Sequence, residues 1–142
     1  MSRRDRILAA LSVLLLLTCF AMAGCSPRKQ DVVRVYLDDD LWAGGPLAQN
    51  DPDPLRVYIT LDGKALIDLP FGQAHTIRVV QADGSENTIE LTGELVHMLS
   101  ATCKNQDCVD MGEVTRDNYE LRALGGFIIC LPQKVSVEVR GD

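Results

Sequence analysis

The sequence has few positively charged residues and few aromatic ones. It contains 14 Lys and Arg against 20 Asp and Glu, and Phe, Trp and Tyr together make up 5% of the chain. A protein that binds nucleic acid needs a basic face that displaces counterions from the phosphates. The shortage of positive charge therefore excludes nucleic acid as a partner, and it also argues against adhesion to anionic lipid by charge alone.

The common catalytic arrangements are also missing from the sequence. It has no glycine-rich phosphate-binding loop and no pair of carboxylates that suggests acid–base catalysis. His75 and His97 have no acid or nucleophile at a recognisable spacing. We therefore expect no catalytic residue, no enzymatic activity and no cofactor.

A long uncharged apolar stretch lies near the N-terminus. Arg3, Arg4 and Arg6 precede Ile7–Gly24, which carries no charge, and the stretch closes on Met22-Ala23-Gly24-Cys25. A basic start followed by an apolar run and small residues is typical of a signal peptide. The closing motif resembles the lipobox of bacterial lipoproteins, so we predict a signal peptide over residues 1–24 and a lipid on Cys25. A retained membrane anchor is the alternative, because 18 apolar residues are close to the lower limit for a spanning helix.

Cleavage before Cys25 would place an acidic chain on the extracytoplasmic side of the cell membrane. The loss of three Arg and one Asp leaves 11 basic and 19 acidic residues in 25–142, a net charge of −8. We expect the lipid to tether this chain and the acidity to keep it soluble. Residues 25–54 are interpreted as the lipidated cysteine and a linker or exposed loop, in which Val32–Leu37 could form one short strand. Asp38-Asp39-Asp40 lacks the pattern of a calcium loop and is interpreted as solvated surface.

Residues 55–142 alternate polar and apolar positions with a period of two, which is typical of β-strands. Asp62-Gly63 between two β-rich segments predicts a tight hairpin, because both turn residues must adopt positive φ. The predicted strands are Arg56–Leu61, Lys64–Leu69, Thr76–Val80, Asn87–Leu91, Glu94–Ser100, Phe127–Leu131 and Val135–Val139. A turn or two of helix is predicted between Cys108 and Tyr119. The pattern predicts an all-β domain over 55–142, a small irregular barrel or sandwich of hairpins.

Three cysteines, Cys103, Cys108 and Cys130, remain after the lipidated one. An oxidising compartment favours a disulfide, and a short loop between Cys103 and Cys108 can close if the chain turns back. Cys130 is then a nearby strand thiol or the true partner of one of them. Two alternatives stay open: thiol exchange among the three, and a Cys₃His metal set that includes His97. The spacing is not that of a zinc knuckle, so we expect no metal. We favour a structural disulfide, because small exported domains commonly need such a covalent link.

The same cysteines carry a family resemblance. The segment CKNQDCV (residues 103–109), with Gly112 after it and IICLPQKVSVEV (residues 128–139) as the final hairpin, resembles the NusG domain II family. Lys104 stands where that family has Pro, and Gln133 where it usually has Asn. The resemblance implies an irregular, barrel-like all-β fold in small exported or membrane-anchored proteins. It implies no role in transcription, since the polymerase-binding and KOW domains of the NusG factors have no counterpart here.

These observations support two functional hypotheses. The first is a membrane-tethered, non-enzymatic binding or accessory module of a membrane protein complex, motivated by the lipid anchor, the small β domain and the missing catalytic motifs. The family resemblance adds an association with membrane and redox-cofactor proteins. The second is a thiol–disulfide or electron-transfer accessory protein that uses Cys103, Cys108 and Cys130.

Overall fold

The computed structural model describes residues 32–44 and 53–141, which form ten β-strands and one short α-helix. The strands are β1 Arg34–Leu37, β2 Asp40–Leu41, β3 Leu55–Leu61, β4 Lys64–Pro70, β5 Ala74–Val80, β6 Glu86–Thr92, β7 Leu95–Ala101, β8 Val114–Thr115, β9 Phe127–Cys130 and β10 Val135–Gly141. The helix, α1, spans Asp107–Asp110.

The strands form two antiparallel sheets. One has six strands in the order β2-β1-β5-β6-β7-β8, and the other has four in the order β4-β3-β10-β9. Within the described ranges neither sheet closes on itself, and apolar residues of both sheets form one hydrophobic core. The predicted all-β sandwich of hairpins is therefore confirmed, and the barrel alternative is not what forms.

The hairpin predicted at Asp62-Gly63 joins β3 to β4. Asp62 has φ of 50° and Gly63 has φ of 75°, a backbone region that Gly adopts without a steric penalty and that Asp tolerates better than most residues. The turn therefore forms where its two residues allow positive φ, and it fixes the register in which Leu61 faces Lys64.

The alternation predicted for the last strand is present in β10. Val135, Val137 and Val139 are buried, while Ser136 and Glu138 are only partly covered. Burying each of these valines contributes about 1.5–3 kcal/mol through the hydrophobic effect. A one-residue slip of β10 would exchange the two faces, so this burial also holds the register.

The position of β10 in its sheet comes from long-range pairing. It pairs with β9 on one side and with β3 on the other, in a register that joins Leu55 to Gly141. The chain thus brings its first long strand and its last strand together at the centre of the four-stranded sheet.

The segment interpreted as a linker contributes two strands to the six-stranded sheet. β1 pairs with β5 from Arg34↔Val80 to Leu37↔Ile77, and Val35 is buried in the core. The short strand that the sequence allows over Val32–Leu37 is thus part of the fold, although residues 45–52 lie outside the description. Whether residues 55–142 fold without it stays a prediction.

The acidic triplet shapes the turn after β1. Asp38 and Asp39 adopt φ of 51° and 71°, and the Asp38 carboxylate accepts hydrogen bonds from the Thr76 backbone and from His75 at 2.8 and 2.7 Å. Partial burial acts to raise the pKa of Asp38, but the hydrogen bonds from His75 and Thr76 outweigh it and lower the pKa. Asp38 thus anchors β1 to β5 instead of serving only as solvated surface.

The predicted signal peptide and the lipidated Cys25 lie outside the described residues. Among the residues that are described, no helix has the length and apolar character needed to cross a membrane.

Candidate thiol site

The three cysteines of the domain meet between the two sheets. Cys103 follows β7 of the six-stranded sheet, Cys108 lies on α1, and Cys130 ends β9 of the four-stranded sheet. All three are buried, and their sulfur atoms lie within 4.8 Å of one another. Cys103 Sγ and Cys108 Sγ are 3.7 Å apart. The structure therefore joins the predicted pair and the third cysteine in one cluster, which we call the thiol cluster.

Gln106 turns the chain back between Cys103 and Cys108. It adopts a left-handed conformation with φ of 57° immediately before α1. Its side-chain Nε2 donates to the carbonyls of Ala101, at 2.8 Å, and of Cys103, and it also lies 3.8 Å from Cys103 Sγ. These bonds hold the loop between the two cysteines closed from the inside.

Gln133 connects Cys130 to the end of β7. The Cys130 thiol donates to Gln133 Oε1 at 3.4 Å, and Gln133 Nε2 donates to Thr102 Oγ1 at 2.6 Å. The Gln133 backbone carbonyl in turn accepts from Gln81 at 2.8 Å. Because Gln133 is itself buried, this amide ties the β9–β10 turn of one sheet to the other sheet.

All three members of the cluster are free thiols in this structure. The 3.7 Å between Cys103 Sγ and Cys108 Sγ exceeds the disulfide bond length of about 2.05 Å. The predicted Cys103–Cys108 disulfide is not formed here and stays a prediction. Cys130 lies close enough to both sulfurs that a bridge to it remains the alternative.

Burial makes the Cys108 thiol a weaker acid than an exposed cysteine. It raises the pKa of Cys108 to about 12, and hydrogen bonding to the thiols of Cys130 and Cys103 adds to the shift. The thiolate is the nucleophilic form of cysteine, so Cys108 is a poor nucleophile near neutral pH while its neighbours stay reduced.

An apolar cavity of about 300 Å³ reaches the cluster. Cys108 and Cys130 line it together with Met111, Leu124 and Leu131, while Asn105 and Asp107 add polar groups. Leu124 and Leu131 are 51% and 79% exposed. Two of the three cysteines of the thiol cluster, Cys108 and Cys130, therefore form part of the wall of this cavity, although both are buried.

The family of the chain follows from a comparison with known families. The model of the family described as NusG domain II matches residues 7–142. The chain belongs to the NusG domain II family. The resemblance inferred from the CKNQDCV and CLPQK segments is thereby confirmed.

Two solved structures show the fold shared by this NusG domain II protein. The Lin0431 protein from Listeria innocua is 23% identical, with a TM-score of 0.53 over 61% of this chain and 95% of that one. A DUF1312 family protein from Enterococcus faecalis V583 is 21% identical, with a TM-score of 0.54 over 62% of this chain and 98% of that one. At these identities the likeness shows the fold alone. Among proteins with curated descriptions, none matches the sequence.

The two histidines of this NusG domain II protein lie apart from the thiols. His97 Nε2 is 2.8 Å from Glu90 Oε2 on the neighbouring strand, and its strand neighbours Val96 and Met98 are the residues that point into the core. His75 is bound to Asp38. The metal set of three cysteines and His97 that the sequence left open is therefore wrong about His97. Strand alternation turns this side chain away from the core in which the three cysteines lie.

Sequence reasoning did not mark out Gln106 or Gln133 as site residues. Gln133 stands in the CLPQK segment where the family usually has Asn, and Gln106 lies in the loop between the two cysteines. Their position beside cysteines predicted to lie in the core could have indicated them, because a buried polar side chain needs hydrogen-bond partners.

Proposed function

We propose that the protein is a membrane-tethered, extracytoplasmic binding module that serves a membrane protein complex and catalyses no reaction. The observation that carries this proposal is the apolar cavity at the thiol cluster, with Leu124 and Leu131 exposed beside it. Exposed apolar side chains around a concave apolar site are typical of binding surfaces. The lipid predicted on Cys25 supports the proposal from the sequence side, because it would hold this surface close to membrane proteins.

The partner that fits this surface is an apolar side chain on an extracytoplasmic segment of a membrane protein. A cavity of about 300 Å³ is at the lower end of the range for small-molecule sites, and one large side chain fills it. The low polar content of its lining disfavours a charged metabolite.

Crosslinking from intact cells tests this proposal. A photo-reactive group next to the cavity, at position 105, should join the full-length protein to one membrane protein. Leu124→Ser and Leu131→Ser should reduce that adduct at least tenfold, because each removes apolar contact area. Leu99→Ser is the matched control, since Leu99 is 48% exposed on β7 and does not line the cavity. No membrane-protein adduct, or equal loss in the Leu99 variant, would contradict the proposal.

A second candidate function, a thiol–disulfide or electron-transfer accessory protein, is favoured by the thiol cluster. With all three sulfurs within 4.8 Å, each pair can bond after a small movement. In the exchange step, the Cys130 thiolate attacks Cys108 Sγ of a Cys103–Cys108 disulfide, a Cys130–Cys108 bond forms, and Cys103 leaves as a thiolate that takes up a proton. Oxidation of the dithiol would instead deliver two electrons and two protons to a disulfide or quinone acceptor.

Free-thiol counting on the purified protein separates the two functions. A structural disulfide predicts one free thiol in the domain over a wide range of potentials, and peptide mapping without reductant should join Cys103 to Cys108. A count that changes at mild potentials would favour the accessory redox function. A bridge from Cys130 to either residue would show instead that the disulfide ties the final hairpin to the loop.

A further inference from the structure

The thiol cluster has the composition and spacing of a metal site. Three thiolates are ligands that select Zn²⁺, Cu⁺ or iron–sulfur clusters. The sulfur atoms of a tetrahedral zinc site with Zn–S bonds of about 2.3 Å lie about 3.8 Å apart. Cys103 and Cys108 already have this separation, at 3.7 Å, and all sulfur atoms lie within 4.8 Å of one another. The largest sulfur–sulfur separation would have to shorten by about 1 Å for all three to match a zinc site.

We propose that the reduced Cys103, Cys108 and Cys130 together bind one zinc ion, whose fourth position opens into the adjoining cavity. This inference rests on the positions of the sulfur atoms and not on the exposed leucines, although its fourth position faces the same cavity as the proposed binding function. A disulfide uses two of the three thiols, whereas the metal uses all three. The expectation of no metal rested on sequence spacing, which did not show that Cys130 approaches from the other sheet.

The cavity determines which soft metal fits. Zn²⁺ accepts a water or carboxylate oxygen as its fourth ligand, whereas soft Cu⁺ prefers sulfur. The cavity of about 300 Å³ has room for several water molecules, each of which needs about 30 Å³. Asn105 and Asp107 line it and supply polar partners for such a water. Three protein ligands beside this cavity would leave the zinc ion a fourth position for an exchangeable oxygen ligand.

Side-chain amides near the sulfur atoms can donate hydrogen bonds to metal-bound thiolates. Gln106 Nε2 already lies 3.8 Å from Cys103 Sγ as an N–H donor. Gln133 accepts from the Cys130 thiol through Oε1 and donates to Thr102 Oγ1 through Nε2. Rotation of this amide by 180° would present Nε2 to a Cys130 thiolate and Oε1 to the Thr102 hydroxyl. Amides placed in this way orient and stabilise metal ligands.

Titration of the reduced full-length protein tests the site. Co²⁺, as a spectroscopic substitute, should give a sulfur-to-cobalt charge-transfer absorption that saturates at one ion per chain, and Zn²⁺ should abolish it. X-ray absorption of the zinc-loaded protein should show three sulfur neighbours at about 2.3 Å and one oxygen neighbour. This measurement requires no variant, so it decides the ligand set even where a cysteine substitution prevents folding.

Variants assign the ligands. Cys130→Ser should weaken Zn²⁺ binding at least a hundredfold, since loss of even an outer partner costs about 10–100-fold. His97→Ala is the matched control and should leave the affinity unchanged, because His97 pairs with Glu90. Fewer than three sulfur neighbours, binding of Cu⁺ without Zn²⁺, or an unchanged affinity in folded Cys130→Ser would overturn the proposal.

Discussion

At the scale of single residues, the buried amide of Gln133 couples the two sheets, because it joins the β9–β10 turn to Thr102 after β7. Replacing it with an apolar residue of similar length removes its bonds to Cys130 and Thr102. Gln133→Met should lower the free energy of unfolding by about 1–3 kcal/mol, because Cys130 and Thr102 lose their hydrogen-bond partner inside the protein, while the backbone bond from Gln81 is kept. Denaturant unfolding measures this change. Lys134→Met, at the exposed neighbouring position, should change stability by less than about 1 kcal/mol, since its ion pair with Asp62 is exposed.

A second residue-scale prediction concerns Asp53, which lies just before β3. Arg116 donates to its carboxylate, the Leu55 backbone N–H donates at 3.0 Å, and the Asp53 side chain is buried. The hydrogen bond from Arg116 lowers the pKa of Asp53, the Leu55 and Gly72 backbone bonds add to the effect, and burial opposes it.

The pKa of Asp53 is lower in the folded protein than in the unfolded chain, where it is 3.8. Ionised Asp53 therefore stabilises the fold at pH values above 3.8. That contribution is lost as the pH falls through the folded pKa. Asp53→Asn should therefore destabilise the protein at pH 7, and the difference from the wild type should begin to shrink below pH 3.8 and vanish below the lower folded pKa. Thermal unfolding across this range checks the sign, with the exposed Asp117→Asn as the control. A stability difference that grows toward low pH would contradict it.

At the scale of secondary structure, local signals were predictable and long-range pairings were not. The hairpin at Asp62-Gly63 follows from two adjacent residues, and the alternation of Val135, Val137 and Val139 follows from one strand. The pairing of β10 with β3 joins residues about 80 positions apart, and no local preference encodes it. The approach of Cys130 to Cys103 and Cys108 depends on how the two sheets pack, so the sequence predicted that the three cysteines lie close together but did not show how they are arranged.

The N-terminal strand gives the element-scale prediction. Removal of residues 1–54 deletes β1, exposes the edge of β5, removes the buried Val35 and also removes Asp53. A chain of residues 55–142 should still give a β-type circular dichroism spectrum but unfold with a free energy at least about 3 kcal/mol lower than residues 26–142.

Val35→Ala in the longer chain separates the causes of that loss. It should lower the free energy of unfolding by about 1–2 kcal/mol, a part of the total, because it shortens one core side chain and keeps the strand pairing. Equal stability of the two chains would show that β1 is dispensable, as the linker interpretation expects.

At the scale of the whole molecule, both proposed functions require the domain to be held outside the cytosol. The lipid on Cys25 is the predicted means, since an acidic domain with few basic residues has no electrostatic attraction to anionic membranes. The location of the protein should therefore depend on one sulfur atom far from the thiol cluster in sequence.

Replacing that sulfur is the decisive experiment. Wild-type protein should incorporate labelled palmitate, lose residues 1–24 and sediment with membranes. Cys25→Ala should incorporate none and remain as an unprocessed precursor, because the lipid is added before cleavage. Cys130→Ala is the matched control, since it removes a thiol of the domain and leaves the N-terminal motif intact.

Equal labelling of the Cys25 variant would show that another residue carries the acyl chain. An unlabelled wild type that stays in the membrane would instead favour the retained apolar anchor, because 18 uncharged residues are close to the length that spans a bilayer.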